Sequence, residues 1–144
     1  MPRADVPPPI PAVLGVVVYR EAVLLVRRAN PPDAGMWGFP GGKVEHGETL
    51  TAAALRELHE ETGVSAAALD VFTALDAFDS ERDRHFILIA VLCRWVAGAP
   101  VAGDDALDAA WVPLDRIADL PGGVSRDVAR LARQAARAMA EETE

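Results

Sequence analysis

The sequence predicts an α/β fold, with a mixed, curved sheet held between two main helices in an α/β/α sandwich. Five short runs rich in valine, isoleucine, leucine and alanine (12–19, 23–26, 69–78, 85–95 and 107–112) read as strands. Two longer segments, 50–62 and 124–140, repeat their apolar residues at helical spacing. The order is strands, helix, strands, helix, so strands from both sides of the first helix share one sheet and the helices cover it.

Taken along the chain, residues 1–11 hold five prolines (Pro2, Pro7, Pro8, Pro9 and Pro11) and read as a flexible, polyproline-like arm ahead of a single domain over 12–144. Ala12–Tyr19 and Val23–Val26 are strands joined by the short polar connection Arg20-Glu21-Ala22. Asn30-Pro31-Pro32-Asp33-Ala34-Gly35 is a loop by its turn residues, and Trp37-Gly38-Phe39-Pro40-Gly41-Gly42 is too rich in glycine and proline for a helix. Leu50–Thr62 is a helix stopped by Gly63. Leu69–Phe78 and His85–Trp95 are strands around the charged turn Asp79–Arg84, and Leu107–Val112 is a last strand stopped by Pro113. In the second helix Val128, Leu131, Ala132, Ala135 and Met139 line one face, and Ser125 is placed to cap it.

Composition narrows the function. The chain has 144 residues, one domain's worth, of which 51% are hydrophobic. Its formal charge of −8 argues against a nucleic-acid polymer or an anionic membrane as partner. Aromatic residues at 6% are too few for stacking along a single strand. The single cysteine, Cys93, excludes an intrachain disulfide and a cysteine-cluster zinc site. No apolar run is long enough to span a bilayer, and no leader pattern opens the chain, so a cytoplasmic protein is expected.

The stretch Gly42–Val64 carries the chemistry. At about 100° per residue, Glu60 and Glu61 flank Glu57 on one face of the first helix within an arc of roughly 100°. Leu55 and Leu58 lie near the opposite side, while Ala53 and Ala54 flank the acids with small side chains that leave room for a ligand. Like charges at these spacings, near a helix C-terminus, cost roughly 1 kcal/mol together in water. A divalent cation reverses that sign, and an all-oxygen donor set suits Mg²⁺ or Mn²⁺. A solvated acidic face is the plain alternative. Two features favour the cation: Gly41-Gly42 permits close backbone approach, and Glu48 adds a fourth acid just before the helix. Such a site serves phosphate chemistry.

Gly42, Glu48, Arg56, Glu57, Leu58, Glu60, Glu61, Gly63 and Val64 reproduce every fixed position and spacing of the pattern G-x5-E-x7-R-E-U-x-E-E-x-G-U. The stretch therefore resembles the Nudix box. Trp37-Gly-Phe-Pro-Gly-Gly before it and Trp111-Val-Pro-Leu after it are also similar to bacterial members of the MutT and ADP-ribose pyrophosphatase types, so the resemblance spans about residues 12–140.

The resemblance implies a hydrolase that cleaves the pyrophosphate bond of a nucleoside diphosphate derivative with Mg²⁺ or Mn²⁺ and water. Its partner would be a small nucleotide, and dimers are common enough in the family to make a homodimer the expectation. Glu57, Glu60 and Glu61 would ligate metal or activate water, with the Gly41 carbonyl joining them. Arg56 would orient the glutamates, and Glu48 would tie loop to helix. Asp104, Asp105 and Asp108 are candidates for a distal general base. Read from residue type and position, Arg27 or Arg28 either holds a phosphate or is solvated at the strand end, Trp37 and Phe39 either stack on a base or pack under the loop, and Arg84 and His85 either contact substrate or serve the structure. ADP-ribose or a nucleotide sugar is the first expected substrate class, and a nucleoside triphosphate cleaved to pyrophosphate the second. Asp79-Ser80 stands where ADP-ribose hydrolases often carry proline. Asp83-Arg84-His85 is similar to the oxidised-dGTP enzyme, but no asparagine follows Leu120 to read a purine edge. A non-catalytic sensor domain is a third class, which typically lacks box acids; none is missing here.

Overall fold

Period-two alternation sorts the apolar residues of the central strands onto two faces. In a computed structural model describing residues 6–103 and 105–142, Val13, Val17, Leu24, Val91 and Cys93 point one way. Val16, Val23, Leu25, Ala90 and Leu92 point the other. Each set is buried under one helix. The elements are β1 (Ile10–Tyr19), β2 (Ala22–Arg28), β3 (Trp37–Gly38), β4 (Gly41–Lys43), α1 (Leu50–Thr62), β5 (Ser65–Asp79), β6 (Arg84–Ala97), β7 (Ala106–Pro113), a 3₁₀ helix (Leu114–Asp119) and α2 (Val128–Glu142). Helix α1 packs Ala53, Ala54 and Leu58 on the first face, and α2 packs Val128, Leu131, Ala132 and Ala135 on the second.

The sheet runs β3-β2-β1-β6-β5, with β4 added to β1 and β7 to β2. Among the named strands, only β1 and β6 pair in parallel, from Ile10↔Phe86 to Val18↔Arg94, which makes the sheet mixed. β1 meets β2 only at Val18↔Val23 and Tyr19↔Ala22, across a two-residue turn in which Arg20 and Glu21 both have positive φ. Farther along the same edge β4 takes over, with Leu14 opposite Gly41. The splayed end between β1 and β2 therefore holds the glycine-rich segment directly beside α1.

Several boundaries differ from the sequence reading. β1 begins at Ile10, so Ile10 and Pro11 belong to the sheet; residues 1–5 of the proline-rich arm lie outside the described residues. β5 begins at Ser65, because the alanine-rich stretch pairs with Ala97, Trp95, Arg94 and Cys93 despite low strand propensity. α2 begins only at Val128, since Gly123 and Asp127 have left-handed backbone. Ser125 does not cap it with its side chain: its backbone N–H donates to the Trp37 carbonyl and its carbonyl accepts from Val128.

Ala53 and Ala54 are fully buried against the sheet rather than open to a ligand. Their small size lets α1 approach β1 at Gly15, where a Cβ would sit 3.4 Å from the Ala54 carbonyl oxygen. Cys93 is buried too, and burial pushes its thiol up to about 12. Among the described residues, no helix is long and apolar enough to cross a membrane.

Candidate active site

Helix α1 starts on Thr49, whose Oγ1 accepts from the Ala52 N–H at 3.1 Å. It ends on Gly63 in left-handed backbone, with the Gly63 N–H on the His59 carbonyl. Its last carbonyls are not left to solvent. The loop after β6 crosses beneath them, so that the Val101 N–H donates to the Thr62 carbonyl (2.9 Å) and the Gly103 N–H to the Glu61 carbonyl (2.8 Å). These donors offset the negative helix end on which the acids stand.

Arg56 organises the acidic face. Its Nε and Nη2 grip Glu48 at 2.7 and 3.0 Å, a bidentate pair, while Nη1 reaches Glu57 at 2.7 Å and Glu60 at 3.5 Å. Nη2 also donates to the Lys43 carbonyl, and the Glu45 N–H donates to Glu48. Helix, β4 and the intervening loop are thus tied through one guanidinium. The pairing with Glu48, then Glu57, raises the Arg56 pKa, and Arg56 followed by the Glu45 N–H lowers that of Glu48.

Glu61 is in a different position. One of its oxygens accepts from the Gly41 N–H at 2.9 Å, and its carboxyl meets that of Glu57. Burial first, then the hydrogen bond and charge of Glu57, push Glu61 up to about 8. Gly41 and Gly42 are both required by close approach to protein rather than to a ligand. A Cβ on Gly41 would lie 2.1 Å from the Val13 carbonyl oxygen, and one on Gly42 2.5 Å from the Glu57 carboxyl carbon.

Glu57, Glu60, Glu61, Gly41, Arg28 and Asp105 line one cavity of about 350 Å³. The three glutamates share it without converging on one point: among the described residues no three acidic, histidine or cysteine side chains close into a cation cage. Glu60 is half exposed and turned to Arg56, whereas Glu57 and Glu61 face each other. The donors are all oxygen, and burial, followed by the neighbouring Glu57 carboxyl, raises Glu61. That chemistry fits a hard divalent ion.

The other expected contacts separate. Arg28 faces the cavity and donates from Nε to the Pro32 carbonyl at 2.6 Å, whereas Arg27, one residue earlier, points away and donates to the Gly35 carbonyl. Trp37 and Phe39 are 8% and 5% exposed within the core under α2, which fits the packing alternative rather than base stacking. Arg84 pairs with Asp79 at 2.7 Å and His85 with Asp76 at 2.8 Å on the β5–β6 hairpin, neither lining this cavity. Asp108 sits in β7 opposite Arg27, outside the cavity, and accepts from the Ala109 N–H. Asp104 lies outside the described residues. Asn30, read from sequence only as part of a turn, also borders the cavity. Val101 and Gly103 carry no local signal at all, because their role exists only once the loop meets α1.

The pattern of residues recurs in known proteins. A profile of the NUDIX domain matches residues 8–135. The chain belongs to the Nudix family. It is 34% identical over 112 residues to an ADP-ribose pyrophosphatase of Methanocaldococcus jannaschii, covering 78% of this chain and 66% of that one. It is 38% identical over 134 residues to a provisionally named 8-oxo-dGTP diphosphatase 2 of Mycobacterium tuberculosis, covering 82% and 94%. The crystal structure of a MutT NUDIX hydrolase from Burkholderia pseudomallei superposes with a TM-score of 0.78 at 28% identity, over 89% of this chain and 98% of that one.

In this Nudix family member the bonds from Arg56 to Glu48 and Glu57 make it a candidate positioning residue. Lysine cannot span Glu48 and Glu57 together. Arg56→Lys is expected to weaken Mg²⁺ activation and to lower kcat/KM about 10–100-fold, read from Mg²⁺ titrations of the initial rate. Unchanged Mg²⁺ dependence would contradict that role.

Proposed function

We propose that this Nudix hydrolase cleaves the pyrophosphate bond of a nucleoside diphosphate derivative of the ADP-ribose or nucleotide-sugar type, using Mg²⁺ or Mn²⁺. The observation that carries the reading is the shared cavity: Glu57, Glu60 and Glu61 on one wall with Arg28 and Asp105 on others. When bound, the cation supplies positive charge against the phosphate oxygens and lowers the pKa of water.

Glu57 and Glu61 would hold it, with the Gly41 carbonyl beside them and Glu60 adding charge at the rim. Arg56 and Glu48 keep Glu57 in place. Arg28 would take a non-bridging phosphate oxygen through its remaining N–H groups. Asp105 would accept the proton as water attacks one phosphorus. The anhydride P–O bond then breaks, releasing a nucleoside monophosphate and a sugar phosphate. Asp105 is favoured over Asp108 because it alone of the two borders the cavity.

A second substrate class, nucleoside triphosphates cleaved to monophosphate and pyrophosphate, is supported by the 38% identity to the mycobacterial relative. Chromatography of products from ADP-ribose, nucleotide sugars and normal or oxidised nucleoside triphosphates separates the two. Monophosphate plus sugar phosphate is the expected result. Pyrophosphate as the main product would establish the second class, and no turnover of any of them with Mg²⁺ or Mn²⁺ would overturn both.

A further inference from the structure

The loop following β2 and the turn between β5 and β6 lie far apart in sequence, yet they face each other across a second cleft of about 400 Å³. Pro31, Pro32 and Ala34 form one side, with Phe78, Ser80 and Arg82 on the other. Phe78 is 72% exposed, more than any other large apolar residue described. It is not a loose ring, because Phe78 pairs with His85 across the hairpin and stacks on its imidazole at 4.6 Å and 25°. The turn beneath it is braced: Asp79, 4% exposed, is held by Arg82 Nη1 at 3.2 Å and by Arg84 Nη2 at 2.7 Å.

A fixed aromatic face left in water costs free energy that a flat ligand recovers by covering it. Proline rings opposite, with the Asp33 and Glu81 carboxylates and the Arg82 guanidinium at the edge, suit a flat ring that carries both hydrogen-bond donors and acceptors on its rim. The cleft is also next to the acid cavity. Arg28 lines that cavity, and its Nε is bonded to the carbonyl of Pro32, which lines the cleft, so one side chain bridges the two.

We propose that the cleft between residues 31–34 and the β5–β6 turn receives the nucleobase of the substrate, stacked on Phe78, while the acid cavity holds its diphosphate. This rests on the pyrophosphohydrolase reading above and adds where the base lies.

The test compares wild type, Phe78→Ala and Phe78→Tyr with ADP-ribose and Mg²⁺. Stacking on one aromatic ring is worth about tenfold or more in affinity, so Phe78→Ala is expected to raise KM about tenfold with kcat changed less than about twofold. Tyrosine should restore KM. In parallel, AMP, which is not turned over, is titrated against the Mg²⁺-loaded protein with amide NMR. Shifts at Ala34 and Ser80–Arg82 are expected with AMP and not with base-free ribose 5-phosphate. An unchanged KM in Phe78→Ala, or AMP shifts confined to the acid cavity, overturns the proposal while leaving the hydrolase reading intact. Absence of any diphosphate hydrolysis by wild type overturns the hydrolase reading, and this proposal with it.

Discussion

Replacing Glu61 by glutamine is expected to lower kcat about 10²–10⁴-fold, a range typical of losing a positioned acid–base or charge-bearing group, while making the metal-free protein more stable at neutral and alkaline pH. Both effects follow from one geometry. Glu61 accepts from the Gly41 N–H and meets the Glu57 carboxyl inside a buried pocket. The amide of glutamine satisfies both neighbours without charge: its oxygen can accept from Gly41 and its NH₂ can donate to Glu57.

The pH dependence has a definite sign. Glu61 is raised to about 8 in the folded protein from 4.5. Between those values the unfolded chain releases a proton that the folded chain retains, so stability falls as pH rises through this window and levels off above it. The glutamine variant lacks that loss. Its melting temperature should match wild type near pH 4 and exceed it by about 5 °C at pH 8, both without metal. Excess Mg²⁺ should narrow the gap, because a cation favours the ionised carboxyl that only wild type can offer. Thermal melts at the two pH values, with and without Mg²⁺, check this. A variant with full turnover, or with no pH-dependent gain, contradicts the assignment.

What could be read from sequence here is what depends on local spacing. The acids at 57, 60 and 61 share a face because helix geometry is set by the chain itself, and Arg56 lies within reach of Glu57 and Glu60 for the same reason. The two-faced sheet was legible from apolar runs flanking the first helix. Contacts decided by distant segments were not. Ala53 and Ala54 lie beside the acids on a helical wheel, yet the sheet claims their side of the helix at Gly15. Trp37 and Phe39 fit either base stacking or packing by residue type, and only the placement of α2 over them separates the two. Arg27 and Arg28 are equivalent in sequence until strand alternation assigns one to each face. The wheel places the three box glutamates on one face, and long-range packing then sets their directions: Arg56 draws Glu60 outward, leaving Glu57 and Glu61 as the facing pair.

Gly103→Ala is the sharpest case of a distant contact controlling the site, and it is expected to damage stability and activity together. Gly103 does not have left-handed backbone, so alanine there meets no conformational penalty of its own. The conflict is contact alone: a Cβ would stand 2.0 Å from the Glu60 carbonyl oxygen and 3.2 Å from the Glu61 carbonyl carbon, both backbone atoms that cannot swing aside. Relief requires the loop to lift from α1. That weakens the Gly103 and Val101 hydrogen bonds to the Glu61 and Thr62 carbonyls and bares the helix end. Overpacking and lost hydrogen bonds together imply about 2–3 kcal/mol of destabilisation. The same movement carries Asp105, two residues along, whose carbonyl accepts from the Ala29 N–H at 3.3 Å. Displacement of about 1 Å at a reacting group can cost about 10²-fold in rate, so kcat should fall well beyond what a small folding defect produces. Urea unfolding and steady-state kinetics at a temperature where the variant is fully folded separate the two effects. Val101→Ala keeps the backbone donor and trims a side chain that is 68% exposed, so it should change stability by less than about 0.5 kcal/mol. Asp105→Asn should lower kcat and leave the unfolding midpoint near wild type. Gly103→Ala with a wild-type midpoint would mean that the loop does not clasp the helix end as described.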